Sequence, residues 1–163
     1  MLIELHRALA ASGHNIGLKI GGFGKEKAIR ASQSEADNNY IDSQDNIRFL
    51  GYCSREELYT EIAESIALVS FSELESFYMV AVEAMSVGCP VVVPQISSIE
   101  ESVGGAGLTF ASGDVDGALE YIEKLLDPGY RSEWSSRSCE WAAQFDASVC
   151  ADRIVQSVAE KMG

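Results

Sequence analysis

The 163 residues suit one domain with a buried core, and 25 acidic against 12 basic residues leave a net charge of −13, which repels nucleic acid and anionic membrane surfaces. No apolar run approaches the ~20 residues that cross a bilayer, and the opening MLIELHRALAASGH has neither the basic region nor the cleavage site of a signal peptide. The expected compartment is therefore the cytoplasm. Cys53, Cys89, Cys139 and Cys150 form no CxxC pair and stand near no histidine cluster, so neither a disulfide framework nor a metal is expected.

The elements alternate along the chain. LIELHRALAAS, with Leu2, Leu5 and Leu9 at helical spacing, reads as a helix stopped at Gly13. NIGLKIGG is a first strand, residues 25–37 a helix, and NNYIDSQD a loop. NIRFLGY is a second strand, and SREELYTEIAES a helix opened by a Ser54–Glu57 capping box. IALVSFS is an unbroken apolar strand of the kind buried in parallel sheets. Phe77, Val80, Ala81, Ala84 and Met85 then share one helical face, with Gly88 and Pro90 ending the helix. CPVVVP is a fourth strand, SSIEESV a short helix with a second capping box from Ser98 to Glu101, and GLTFAS a fifth strand. Asp114 caps VDGALEYIEKLLD, ended by Pro128 and Gly129, and helices over about 130–144 and 147–162 close the chain.

This alternation predicts a Rossmann-like α/β fold, a parallel sheet with helices on both faces. Ligands of such sheets bind beyond the carboxyl ends of the strands, near helix N-termini. The loops at 21–24, 51–54 and 72–76 fall there. Glu75 sits at the corner between the third strand and the next helix, beside the amides of Phe77, Tyr78 and Met79, where a helix start favours negative oxygens. Glu83 lies six residues past Phe77, about 240° round the helix and off its apolar stripe. A carboxylate there suits a ribose diol, and one at Glu75 suits sugar hydroxyls. The alternative is a helix-start carboxylate and a solvated helix former.

The ordered run of ESF, EAMS, a glycine and PVV, preceded by ALVSFS and NIRFLG, resembles the donor-binding half of the retaining, group-1 glycosyltransferases of the GT-B fold. NIGLKIGGFG is similar to that family's strand and glycine turn, and SIEESVGGAGLTFASGD, with Glu101, to its later segment. The resemblance runs from about Leu2 to the C-terminus. It implies a single Rossmann-like donor-binding domain over 1–163, one half of a GT-B fold, without its first strand and without the N-terminal acceptor domain.

The resemblance gives Glu83 the ribose hydroxyls of a nucleotide-sugar, and Glu75 the hydroxyls of the transferred sugar or support for charge at its anomeric carbon. Ser76 and the amides of Phe77, Tyr78 and Met79 would meet the sugar or the diphosphate. Gly21 and Gly22 would admit the phosphates, and Tyr52 would pass near the base. The nucleoside-diphosphate sugar is a co-substrate; no further cofactor or metal is implied. The implied partner is an acceptor half in the same or a separate chain, and an exposed sheet edge could support a homodimer. Three departures stand out: Tyr78 replaces a glycine, the basic pair before the first helix is missing, with Lys19 and Lys25 elsewhere, and the acceptor half is absent. Tyr78 and the missing bases favour an alternative, a non-catalytic nucleotide-binding or interaction module on a degenerate glycosyltransferase fold, which the intact Glu75/Glu83 pair opposes.

Overall fold

A computed structural model of the chain describes residues 1–22, 24–26 and 34–162. Helix α1 (Leu2–Ala11) turns Leu5 and Leu9 inward and leads to β1 (Leu18–Gly21). Then come α2 (Glu35–Ser43), β2 (Ile47–Gly51), α3 (Arg55–Ala63) and β3 (Leu68–Val69). The second part holds α4 (Met79–Ser86), β4 (Val91–Pro94), α5 (Ser97–Val103) and β5 (Leu108–Phe110). Helices α6 (Val115–Leu125), α7 (Pro128–Ala142) and α8 (Ala147–Met162) complete the chain.

Every strand pair is parallel, so the fold is the expected α/β arrangement of parallel strands and covering helices. Strand β4 shows why its sequence is apolar throughout. Val91 and Val93 join Ala84, Met85, Ile99 and Val103 in one core cluster. Val92 points the other way, into a second cluster with Leu5, Leu9, Leu108 and Leu125. Successive side chains leave opposite faces of a strand, and here both faces are covered. Cys89, at the entry to β4, is a buried apolar filler whose thiol is pushed up to about 11 by desolvation.

The strands form two ladders rather than one sheet: β1 pairs with β2, and β3, β4 and β5 pair in that order. No ladder joins the two among the described residues. Leu68 and Val69 are consequently only half-buried, although their sequence reads as that of a covered strand.

Local signals held where the side chain had no competitor. Ser54 and Glu57 form the reciprocal capping box, Asp114 accepts from the Gly117 amide, and the Gly88 and Cys89 amides return to Met85 and Ala84 to close α4. Elsewhere packing overrode them. The expected loop at 38–45 largely lies in α2, which is capped by Ser34, buries Ile41 and brings the Tyr40 hydroxyl to His6 at 3.0 Å. Of the helix expected over 25–37, residues 27–33 lie outside the described residues. The Ser98–Glu101 capping box does not form, because α5 begins at Ser97 with Ile96 at its N-cap, two residues earlier than a Ser98 cap requires. Pro128 starts α7 rather than ending α6: the Asp127 side chain accepts from the Tyr130 amide, and proline suits the first helical position.

Candidate functional site

Gly21 and Gly22 end β1, and Gly51 ends β2 beside them. Gly21 is in register with Gly51, and the Gly22 amide donates to the Gly51 carbonyl at 3.1 Å. Gly22 (φ +90°) and Gly51 (φ +66°) both have backbone conformations that side chains rarely adopt. A Cβ at either would meet nothing within 4 Å, so this double turn faces open space. Tyr52, directly after it, is 86% exposed. Of the two glycines expected to face phosphate, Gly22 thus has its amide already engaged.

Helix α4 begins at Met79, about two residues later than its apolar spacing suggests, and this changes the inventory of amides. The Tyr78 amide donates to Ser102 Oγ at 3.0 Å, and the Met79 amide turns back onto the Phe77 carbonyl at 2.9 Å. Neither is open to a ligand, whereas the amides of Phe77 and Val80 have no partner among the described residues. Ser102 is one of the residues that sequence reasoning missed. It is fully buried, its hydroxyl donates to the Ser98 carbonyl, and its own carbonyl accepts from Trp141 Nε1 at 2.8 Å. Nothing in SIEESV marks it except a serine at a position that faces inward.

The Tyr78 ring, the bulkiest departure from a glycine-lined loop, packs against the core cluster of β4 and α5. Burial pushes its phenol up, and the Glu75 charge adds to this, while a hydrogen bond with Ser70 opposes it. The ring is therefore turned into the protein beneath the loop. Glu75 is half-buried and accepts from Ser72 Oγ at 2.8 Å; Ser70 Oγ in turn accepts from the Ser72 amide. Ser76 and Phe77 are exposed, with the Phe77 ring edge-on to Phe145 at 5.6 Å.

Glu83 does not lie free on a solvated face. Its Oε1 accepts from Arg55 Nη2 at 2.9 Å and from the Tyr59 hydroxyl at 3.3 Å, both from α3. Arg55 Nε donates to the same Tyr59 oxygen at 2.8 Å, which closes a three-residue ring. Lys19 and Lys25, in contrast, are committed elsewhere: Lys19 to Glu61 at 2.7 Å and Lys25 to Asp42 at 2.8 Å. Among the described residues no group of three or more His, Cys, Asp or Glu side chains is placed to hold a metal ion.

The family model described as "Glycosyl transferases group 1" matches residues 1–141. The chain belongs to this glycosyltransferase family. It is 35% identical over 112 residues to the O-antigen chain mannosyltransferase B of Escherichia coli, which covers 68% of this chain and 29% of that protein. It is 33% identical over 122 residues to the D-inositol 3-phosphate glycosyltransferase of Mycolicibacterium smegmatis, covering 72% of this chain and 27% of that one. The group-1 glycosyltransferase chain thus spans less than a third of the length of these curated relatives. Among solved structures, the sucrose-phosphate synthase of Thermosynechococcus elongatus superposes with a TM-score of 0.77 at 23% identity, over 98% of this chain and 42% of that one. A GtfA/B complex superposes with a TM-score of 0.75 at 22% identity, over 98% of this chain and 32% of that one. These last two establish the fold. Among the described residues no helix is long and apolar enough to cross a membrane.

Proposed function

We propose that this chain is the nucleotide-sugar-binding half of a retaining glycosyltransferase that moves a hexose from a nucleoside-diphosphate sugar to a glycan or lipid-linked acceptor in the cytoplasm. The observation that carries the reading is Glu83, a carboxylate held through Oε1 with no partner for Oε2 among the described residues, on the helix that follows the Glu75 corner. A carboxylate oxygen with open lone pairs matches the vicinal hydroxyls of a ribose. Glu75, steadied by Ser72, serves the hydroxyls of the transferred sugar. As the glycosidic bond breaks, the anomeric carbon gains positive charge, which Glu75 offsets, and the leaving diphosphate gains negative charge. The unpaired amides of Phe77 and Val80 are donors for that charge at the start of α4.

The ladders support a matching reading of the domain. The commonest dinucleotide-binding order, 3-2-1-4-5-6, puts the first strand of the chain in the middle of the sheet. The adjacencies β2-β1 and β3-β4-β5 are that order with one strand between β1 and β3. We propose that a parallel strand from outside these 163 residues lies there, together with an acceptor half that excludes water and positions the attacking hydroxyl. The 163 residues alone would then bind donor without transferring it, and their open edges would favour a homodimer.

A second reading, a non-catalytic nucleotide-binding module, is favoured by the engaged Tyr78 and Met79 amides and by the pairing of Lys19 and Lys25. Saturation-transfer NMR with UDP-, GDP- and ADP-sugars decides first whether a donor site exists. Transfer to the ribose protons of one donor, lost in Glu83→Ala, is the expected result. No transfer from any of the three overturns the donor reading. Transfer from the bare nucleotide but never from its sugar moiety favours the module.

A further inference from the structure

We infer that Arg55 and Tyr59 are positioning residues for Glu83, which make this site selective for a ribose that carries both hydroxyls. The inference rests on Glu83 being the ribose ligand and adds how that carboxylate is aimed. An unrestrained glutamate turns about three side-chain bonds and loses that freedom on binding. Here two donors restrict that freedom. Arg55 Nη2 and the Tyr59 hydroxyl both donate to Oε1, at 2.9 and 3.3 Å. Arg55 Nε donates to the Tyr59 oxygen at 2.8 Å, and the guanidinium lies 5.3 Å from the Tyr59 ring centre. The phenolic hydrogen is thereby left to point at the carboxylate, because its oxygen lone pair is occupied by the arginine.

Both donors come from one face of α3, at positions i and i+4, and that helix is anchored by the Ser54–Glu57 capping box immediately before Arg55. The ring therefore ties α4 to α3, the helix that follows the turn carrying Tyr52. It leaves Glu83 Oε2 as the oxygen for a ligand. One carboxylate oxygen with two open lone pairs can accept both hydroxyls of a vicinal diol, whereas a ligand missing either hydroxyl leaves one acceptor unfilled. The arginine also offsets a carboxylate charge in a chain whose net charge is −13 and whose ligand is anionic. This role depends on Arg55 staying on Oε1 when ligand binds.

The test measures affinity for the ribonucleoside diphosphate preferred among UDP, GDP and ADP, and for its 2′-deoxy and 3′-deoxy counterparts, by calorimetry. Wild type, Arg55→Gln, Arg55→Lys, Tyr59→Phe and Glu83→Ala are compared, with thermal melts to verify folding. Wild type is expected to prefer ribose by roughly tenfold, as for a hydrogen bond to a charged group. Arg55→Gln and Tyr59→Phe should each shrink that preference about three- to fivefold while the deoxy ligands bind as before. Arg55→Lys should restore it in part, since a point charge replaces a rigid fork. An unchanged preference in Arg55→Gln and Tyr59→Phe, with its loss in Glu83→Ala, overturns the positioning role and leaves the donor reading standing. Tighter ribonucleotide binding in Arg55→Gln also overturns it, because the arginine would then compete with the ligand. A preference that survives Glu83→Ala, or a wild type that binds none of the diphosphates, removes the donor reading and this inference together.

Discussion

Strand β4 hides Val91, Val92, Val93 and Pro94 wholly from solvent, whereas no residue of β1 or β2 is fully buried. The strands are of similar length and all pair in parallel, so strand geometry does not explain the contrast. Neighbours do. β4 has a strand on each side and helices on both faces, while among the described residues β1 and β2 pair only with each other. Cohesion is therefore concentrated in the β3-β4-β5 half, and the turns after β1 and β2 sit on the looser one. A looser region can adjust to a ligand without unfolding the whole.

The largest test of that contrast is a pair of truncations. Met85→Ala, at a fully buried position against β4, should cost about 2–5 kcal/mol, and Leu18→Ala in β1 no more than about 1 kcal/mol. Urea unfolding measures both, and equal losses would break the comparison. Next in size is Gly104→Ala. Its φ of +52° disfavours a side chain, and a Cβ would stand 2.3 Å from Trp141 Cζ2, so a loss of about 2–3 kcal/mol is expected.

Ser102→Ala sharpens the link between core and site. It leaves the Tyr78 amide without its acceptor, at a cost of about 1–3 kcal/mol. Hydrogen exchange should quicken over 77–81 and not over β1. Exchange that rises equally in both would mean that Ser102 supports the whole fold rather than the start of α4.

The smallest effect belongs to the β1-β2 side and concerns pH. His6 is buried, with Nδ1 3.0 Å from the Tyr40 hydroxyl and Nε2 3.0 Å from the Ile16 carbonyl. Desolvation lowers its pKa from 6.5, with the Ile16 contact opposing. Between the lowered value and 6.5 the unfolded chain binds the proton that the folded chain refuses. This part of the stability is therefore complete above about pH 6.5 and is lost as pH falls below it. Melts of wild type and His6→Gln at pH 7.5 and 5.5 should show the acid sensitivity reduced in the variant. An unchanged sensitivity would assign it to other groups.

The parallel α/β character was legible in residues whose reasons are local: the apolar run of β4, the Ser54–Glu57 box, the Asp114 cap and the glycine after α4; membership of the glycosyltransferase family was legible in the ordered motif run from ESF to PVV. The spacing of Glu75 and Glu83 was legible too. What each carboxylate touches was not, because Ser72 lies in a loop and Arg55 and Tyr59 lie on another helix, 28 and 24 residues before Glu83. The same holds for α2, a helix in a polar stretch in which Ile41 is buried and Tyr40 reaches His6 of α1.

Composition, periodicity and caps by themselves determined the class of fold and most of the element order, and the motif resemblance singled out the two glutamates of interest. Tertiary structure alone decided that the Tyr78 ring turns inward, that its amide is taken by Ser102, and that the strands form two ladders. It also decided that Glu83 is held through Oε1 by Arg55 and Tyr59. Local signals act over a few residues along the chain, whereas these outcomes depend on which distant hydrogen-bonding group arrives first at each donor and acceptor.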